Sequence, residues 1–130
     1  MAAPASPLIP LASCRTVILA TRKRDGSWVA TPVSLVVADG LGYFRTYDAA
    51  GKAKRLRNFP DVRVAPGTAR GKATGPFVAG TARLLDGVEA DRARALLTRK
   101  HPLLHGRLVP FAHRRKGWRT LHYELTPVRS

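Results

Sequence analysis

Residues 15–46 read RTVILATRKRDGSWVATPVSLVVADGLGYFRT, and this stretch decides the fold. Arg15 to Thr21 is β-branched and apolar, the composition of a strand. A charged segment follows and ends in Asp25-Gly26, a pairing that suits a tight hairpin turn. Trp28 to Val37 is nearly continuous in apolar residues, as expected of a strand covered on both faces. Asp39-Gly40 is a second hairpin signal, and Leu41 to Thr46 completes a three-stranded meander. Pro32 interrupts the middle strand. Proline has no N–H to offer a ladder, so Thr31-Pro32-Val33 belongs at an edge or a bulge. Such an edge can hydrogen-bond a planar heterocycle, and it can equally be an edge with no ligand.

Beyond the meander the period changes. Ala49 to Asn58 is rich in Ala, Lys and Arg and favours a helix, which Pro60 ends. Asp61 to Ala65 reads as a short strand, Pro66 to Pro76 as a polar, Gly-rich loop, and Phe77 to Leu85 as strand again. Asp86 with Glu89 three residues on has the form of a capping box. In the helix it opens, Ala93, Leu96 and Leu97 share a face, while Arg92, Arg94 and Arg99 point elsewhere. Trp118 to Thr126 forms the last strand. These elements imply a mainly β chain of about six strands with two short helices, a small barrel with helices at its ends. Residues 1–130 make one domain, with 1–13 as an N-terminal arm.

The chain has 130 residues and 45% hydrophobic composition, enough for a core. Its net charge is +15, from 23 Lys and Arg against 8 Asp and Glu. That excess calls for anionic partners: nucleic acid, anionic lipid, or a phosphorylated or carboxylated small molecule. The single cysteine, Cys14, reads as a small buried thiol and fits a reducing compartment. The apolar start holds Pro4, Pro7 and Pro10 with no basic segment before it, unlike a signal peptide. No apolar run reaches the ~18 residues of a membrane helix. A cytoplasmic protein is expected.

The segment from Asp48 to Arg57 follows a strand ending in Thr46 and opens a helix. A helix start offers unpaired N–H groups and the positive end of a dipole. Gly51 lets the backbone approach an anion, and Lys52 adds a full charge. On these residues alone a basic amphipathic surface helix is the plainer reading. Arg99 to Arg119 holds seven Lys or Arg and no acid, interleaved with Phe111, Trp118 and three histidines. It can bind single-stranded nucleic acid or an acidic tail, or be a solvated loop. His101 and His105 are spaced i, i+4, but Pro102 lies between them and no third ligand is evident, so no metal site is expected. No nucleophile–base pair stands out. If the chain is an enzyme, a cofactor carries the chemistry.

The order Asp-Gly-Ser-Trp-Val-Ala-Thr-Pro-Val, then Tyr-Phe-Arg-Thr, then Gly-Lys-Ala-Lys-Arg-Leu-Arg-Asn-Phe-Pro resembles the pyridoxamine 5′-phosphate oxidase-like superfamily. Val62-Arg-Val-Ala-Pro and Ala69-Arg-Gly-Lys-Ala-Thr-Gly-Pro extend the match. Within the superfamily the chain is most similar to the small reductases that use the deazaflavin coenzyme F420. The resemblance covers Arg15 to Leu85 and is general after that. It implies an FMN-binding-like split β-barrel, a homodimer with two cofactors at the interface, and hydride transfer at C5 of a deazaflavin or N5 of a flavin. It also implies that Thr46, Gly51 and Lys52 contact the cofactor phosphate, with Lys54 and Arg57 nearby. Thr31, Pro32 and Val33 would contact the ring, and Ala65 and Pro66 would line the same cleft. The chain departs from the pattern at Ser34, where an aromatic is common. It departs again at Ala50-Gly51-Lys52, where the oxidase's turn carries an arginine.

The reading that follows is an F420-dependent oxidoreductase acting on an organic acceptor. Its catalytic residues are unassigned; Tyr43, Tyr47 and Tyr123 are the candidate proton donors. The alternatives are an FMN enzyme of the same fold, a non-catalytic cofactor carrier, and, more remotely, a nucleic-acid-binding barrel. The last lacks the aromatic-rich strand face of common single-strand binders.

Overall fold

The structure, a computed structural model, describes residues 6–101 and 119–128. A short 3₁₀ turn (Ile9–Leu11) leads into β1 (Val17–Arg22), β2 (Trp28–Val33), β3 (Val36–Ala38) and β4 (Leu41–Tyr47). Then come α1 (Gly51–Asn58), β5 (Asp61–Pro66), β6 (Val78–Leu84), α2 (Gly87–Lys100) and β7 (Thr120–Pro127). All seven strands pair antiparallel in one sheet of order β2-β1-β5-β6-β7-β4-β3.

The two outermost strands of this order, β2 and β3, are separated in sequence only by Ser34 and Leu35. Three Cα–Cα steps span at most about 11 Å. A seven-stranded sheet can bring its edges that close only by curling through a full turn. The expected single strand from Trp28 to Val37 is therefore two strands, because one straight segment cannot pair with β1 at one edge and β4 at the other. Leu35, wholly buried at the bend, fills the interior. The apolar run was also expected to be covered on both faces, but in β2 Ala30 and Pro32 are exposed. Pro32 occupies an edge strand, as its missing N–H requires.

Both Asp-Gly turns form as expected. Asp39 and Gly40 both take positive φ, at 54° and 78°, the geometry of the tight hairpin between β3 and β4. At the first turn, Asp25 Oδ1 accepts hydrogen bonds from Ser27 N at 2.9 Å and Ser27 Oγ at 2.6 Å.

Alternation along the strands makes two apolar clusters. The inner one joins Val17, Leu19, Val62, Val64, Phe44, Tyr123 and Leu125, and α1 adds Leu56 to it. Phe44 and Tyr123, cross-strand partners, stack at 5.1 Å. The outer cluster lies between β4 and α2 and joins Tyr43, Leu85 and Ala93. The expected helix face is confirmed, since Ala93 and Leu97 are fully buried. The expected capping box is not: the Asp86 side chain makes no cap bond, and Glu89 instead binds Arg83 at 2.6 Å. The N-terminal segment packs on the barrel, with Leu8 and Leu11 in the inner cluster and Ser6 Oγ donating to Gly40 O at 2.6 Å.

Among the described residues, no helix is long and apolar enough to cross a membrane. The 66–76 loop is a small hairpin of its own, in which a Cβ on Gly67 would stand 2.3 Å from Ile18 Cγ1 and 2.9 Å from Lys72 O. The second contact is with backbone and cannot easily yield. Gly67→Ala should cost about 1–3 kcal/mol, the range for overpacking, read as a lower urea midpoint at unchanged m-value.

Candidate functional site

Helix α1 lies against the inner side of the β1–β2 half of the sheet. Its apolar face is Ala53 and Leu56. Residues three apart on a helix share a face, so Lys52 and Arg55 point together toward the strands. Lys52 Nζ donates to Thr31 Oγ1 at 2.8 Å, and Arg55 Nε donates to Thr21 Oγ1 at 2.5 Å. Thr21 and Thr31 belong to neighbouring strands and share the inner face with Leu19 and Val64, their neighbours in the ladder.

The Arg55 guanidinium folds back over the helix start: its Nη1 is 2.8 Å from where a Cβ on Gly51 would be. The N-cap residue, Ala50, has no side chain with which to cap, and the first turn holds no acid. Gly51 N–H, Lys52 and Arg55 thus stand together at the positive end of the helix. Burial pushes the Lys52 ammonium below its ordinary value, and the neighbouring Arg55 charge pushes it further. Among the described residues, no ion pair joins Lys52 or Arg55 to an acid. Two partly desolvated cations offset only by threonine hydroxyls and joined by a helix start form an arrangement that an anion would relieve.

The structure brings Thr31, Gly51 and Lys52 together and gathers the other expected residues less tightly. Thr46 is buried on the inner face of β4. Lys54 and Arg57 are exposed and lie on other sides of α1 from the Lys52–Arg55 face. Arg57 is close enough to Tyr123 to favour its ionised form, although burial dominates and raises that phenol. Pro32 and Ala65 flank Ile18 in the ladder, and Ala65 is wholly buried. Val33 and Pro66 flank Val17 in the same way. Sequence reasoning passed over Arg55 and Thr21. The signal for Arg55 was available, because i, i+3 spacing selects it over Lys54 and Arg57. Thr21 is identified only by the sheet register.

Pro66 also lines an open cleft of about 490 Å³ with Cys14, Arg15, Thr16, Gly67, Ala69 and Thr74. That is within the size range of small-molecule sites. Cys14, expected to be a buried thiol, is instead half-buried at this cleft. Of the candidate proton donors, Tyr43 is buried under α2 and Tyr123 is stacked in the core, with burial raising both phenols. Tyr47 is half-buried near the end of β4. Most of the basic 99–119 segment, with His105, Phe111, His113 and Trp118, lies outside the described residues. No group of three or more metal-type ligands occurs among the described residues.

No protein-family model matches the sequence, and no curated protein matches it. Solved structures do match. A candidate pyridoxamine 5′-phosphate oxidase from Listeria innocua superposes with a TM-score of 0.66 at 16% identity, over 94% of this chain and 90% of that one. HutZ, a haem storage protein from Vibrio cholerae, gives 0.69 at 14% identity, over 98% and 93%. An FAD-binding protein from Mesorhizobium loti gives 0.67 at 18% identity, over 92% and 85%. The fold is the split β-barrel. At these identities the likeness extends to the fold and no further. On this split barrel, Lys52 and Arg55 sit on the inner side of the β1–β2 half, and α2 covers the outer side of β3, β4 and β7.

Two predictions follow from the geometry. Thr31→Val and Lys52→Met each remove one end of the same hydrogen bond, so a double-mutant cycle on unfolding free energy should show coupling of roughly 0.5–1.5 kcal/mol. Additive losses would mean the contact contributes nothing. The second concerns His122, whose imidazole is held down to about 4 by burial first and by the Arg45 and Arg94 guanidiniums next, with Asp91 opposing. The unfolded chain takes that proton near the ordinary 6.5, before the folded chain does. Stability in chloride buffer should therefore be complete above about pH 6.5 and fall as pH drops toward 4, by on the order of 3 kcal/mol. His122→Gln should remove that part of the acid sensitivity, measured as the difference between the two urea midpoints across the window.

Proposed function

We propose that the chain is an F420-dependent oxidoreductase, with the cofactor's phosphate held by Gly51 N–H, Lys52 and Arg55 and its ring laid along Thr31, Pro32 and Val33. The observation that carries the reading is the Lys52–Thr31 contact. It ties the start of α1 to β2, the edge strand that carries Thr31, Pro32 and Val33. The bound deazaflavin supplies the hydride, at C5. The chain's own part is to grip, orient and shield. Pro66 and the cleft beside it provide space adjoining the same strands for the rest of the cofactor or for the acceptor.

Among the described residues, neither Tyr43, buried under α2, nor Tyr123, stacked on Phe44, shares in the Lys52–Thr31 contact. That observation favours a second reading, a carrier that binds cofactor without turnover. The FMN alternative uses the same grip. Dimerisation fits the outer face of β1, β2, β5 and β6, which neither helix covers and which exposes Ala30, Pro32 and Ala79. Sedimentation should show a homodimer at micromolar concentration.

The decisive experiment is a titration of the purified protein with F420 and, separately, FMN, followed by absorbance and fluorescence. F420 should bind at micromolar concentration or tighter, worth about 8 kcal/mol, and FMN more weakly. Lys52→Ala should weaken F420 binding by roughly 1.5–3 kcal/mol, the range for a hydrogen bond to a charged group. Lys23→Ala is the charge-matched control, since Lys23 is exposed in the β1–β2 turn. Tighter binding of FMN points to the flavin enzyme. Equal losses in the two variants reduce the effect to general electrostatics and remove the phosphate site.

A further inference from the structure

We infer that the cleft between the entry to β1 and the 66–76 hairpin binds a small organic carboxylate, with its head on Arg15 and its apolar body against Pro66 and Ala69. The inference rests on the reading above in one respect, that this carboxylate is the hydride acceptor. The cleft measures about 490 Å³. Cys14, Pro66 and Ala69 give it an apolar wall, and its polar members are Arg15, Thr16 and Thr74. An apolar wall with a few polar groups is the usual make-up of a small-molecule site.

Backbone bonds fix the shape of this cleft. Gly67 N–H donates to Thr16 O at 3.4 Å, which joins its two sides. Thr74 N–H donates to Pro66 O at 2.8 Å, and Thr68 N–H to Lys72 O at 2.9 Å, which hold the hairpin closed. The cleft also adjoins the strand proposed to carry the cofactor ring. Pro66 and Val33 flank Val17 in the ladder, and Thr16 is the residue before Val17. A ligand in the cleft would therefore lie at the Val33 end of β2.

The charge here has one sign. All eight acids of the chain lie among the described residues, and none lines the cleft. Five pair with arginines elsewhere. Asp25 and Asp48 accept backbone N–H groups, and Asp86 opens α2. Among the described residues, no acid pairs with Arg15. Lys100 adds positive charge near Cys14, but its ammonium is committed to Leu35 O. A guanidinium fork matches a carboxylate with two parallel hydrogen bonds. A phosphate dianion would ask for a second lining cation or a helix start, which Lys52 and Gly51 supply on α1 and the lining of this cleft does not.

Cys14 is the chain's one cysteine, so its alkylation by iodoacetamide reports on the cleft alone. Millimolar sodium benzoate should slow that alkylation by about threefold or more, since ligands this small bind in that range. Benzamide, of the same shape without the charge, should leave the rate unchanged, a contrast that needs no variant. Arg15→Gln should abolish the protection. Lys72→Gln, exposed in the hairpin and outside the lining, should keep it. Absence of protection by benzoate overturns the inference, as does equal protection by benzamide or protection that persists in Arg15→Gln. Stronger protection by phenyl phosphate, or a thiol that iodoacetamide cannot reach, overturns it too. F420 separates acceptor from cofactor. If F420 binds by fluorescence and leaves Cys14 open, the cleft stays with the acceptor; if F420 protects Cys14 and competes with benzoate, the cleft goes to the cofactor and the acceptor assignment falls. Benzoate protection in a protein that binds no F420 upholds the carboxylate site and overturns the cofactor reading, together with the acceptor role drawn from it.

Discussion

Everything in this molecule depends on Ser34 and Leu35. They join the two outermost strands of a seven-stranded sheet, so the sheet must curl, and curling creates an inside. The bend is held from outside as well as within. Leu35 is buried, and its carbonyl accepts a hydrogen bond from Lys100 Nζ at 2.7 Å. The last turn of α2 is thereby tied to the corner of the barrel, which sets the helix across β3 and β4. With α2 committed to the outer side, α1 is left to meet the inner side, and only there can Lys52 reach Thr31.

Strand β4 shows how one stretch of chain serves both sides. Tyr43 and Arg45 face α2; Phe44 and Thr46 face the interior. Alternation at period two is enough to separate the two faces chemically. The inner one has lysine, arginine and threonine at a helix start. The outer one has arginine and histidine under a helix flank. A slip of one residue in the β4–β7 register would exchange the two sets, placing Arg45 in the apolar core and Phe44 against the charged flank of α2. The apolar stack of Phe44 on Tyr123 is what makes that slip costly.

The sequence was legible where a local rule has a single outcome. Asp-Gly pairs at 25–26 and 39–40 specify hairpins, and the Ala93–Leu97 spacing specifies a buried helix face. It was less legible where partners are distant. Trp28 to Val37 looked like one strand because an apolar run carries no record of which neighbour each half will meet. Glu89 looked like a capping residue because Asp86 stands three places before it, but Arg83 offered a charge-assisted bond at 2.6 Å and took it. Lys52 stood out in the sequence from its place after Gly51. Arg55, whose guanidinium folds back over the helix start, was hidden among three basic neighbours until the helix phase separated it from Lys54 and Arg57. The Thr31 hydroxyl lies 21 residues from Lys52, and only the fold puts them in contact.

The excess of positive charge, +15 over the whole chain, is mostly without consequence for the fold. The ion pairs visible on the surface, such as Arg22–Asp61 and Arg92–Asp39, have exposed partners and contribute little. The cations that matter are those taken partly out of water, and Lys52 and Lys100 show two ways of compensating them. Burial lowers both ammonium groups. Lys100 donates to a backbone carbonyl, whose direction is fixed by the sheet, so its bond is a structural tether and its loss would loosen the barrel corner. Lys52 donates to a threonine hydroxyl, which can rotate and accept or release without disturbing any strand. Its ammonium can therefore turn to an arriving anion while the barrel stays as it is. That difference in acceptor, more than any difference in charge or burial, sets Lys100 in the scaffold and leaves Lys52 to the candidate site.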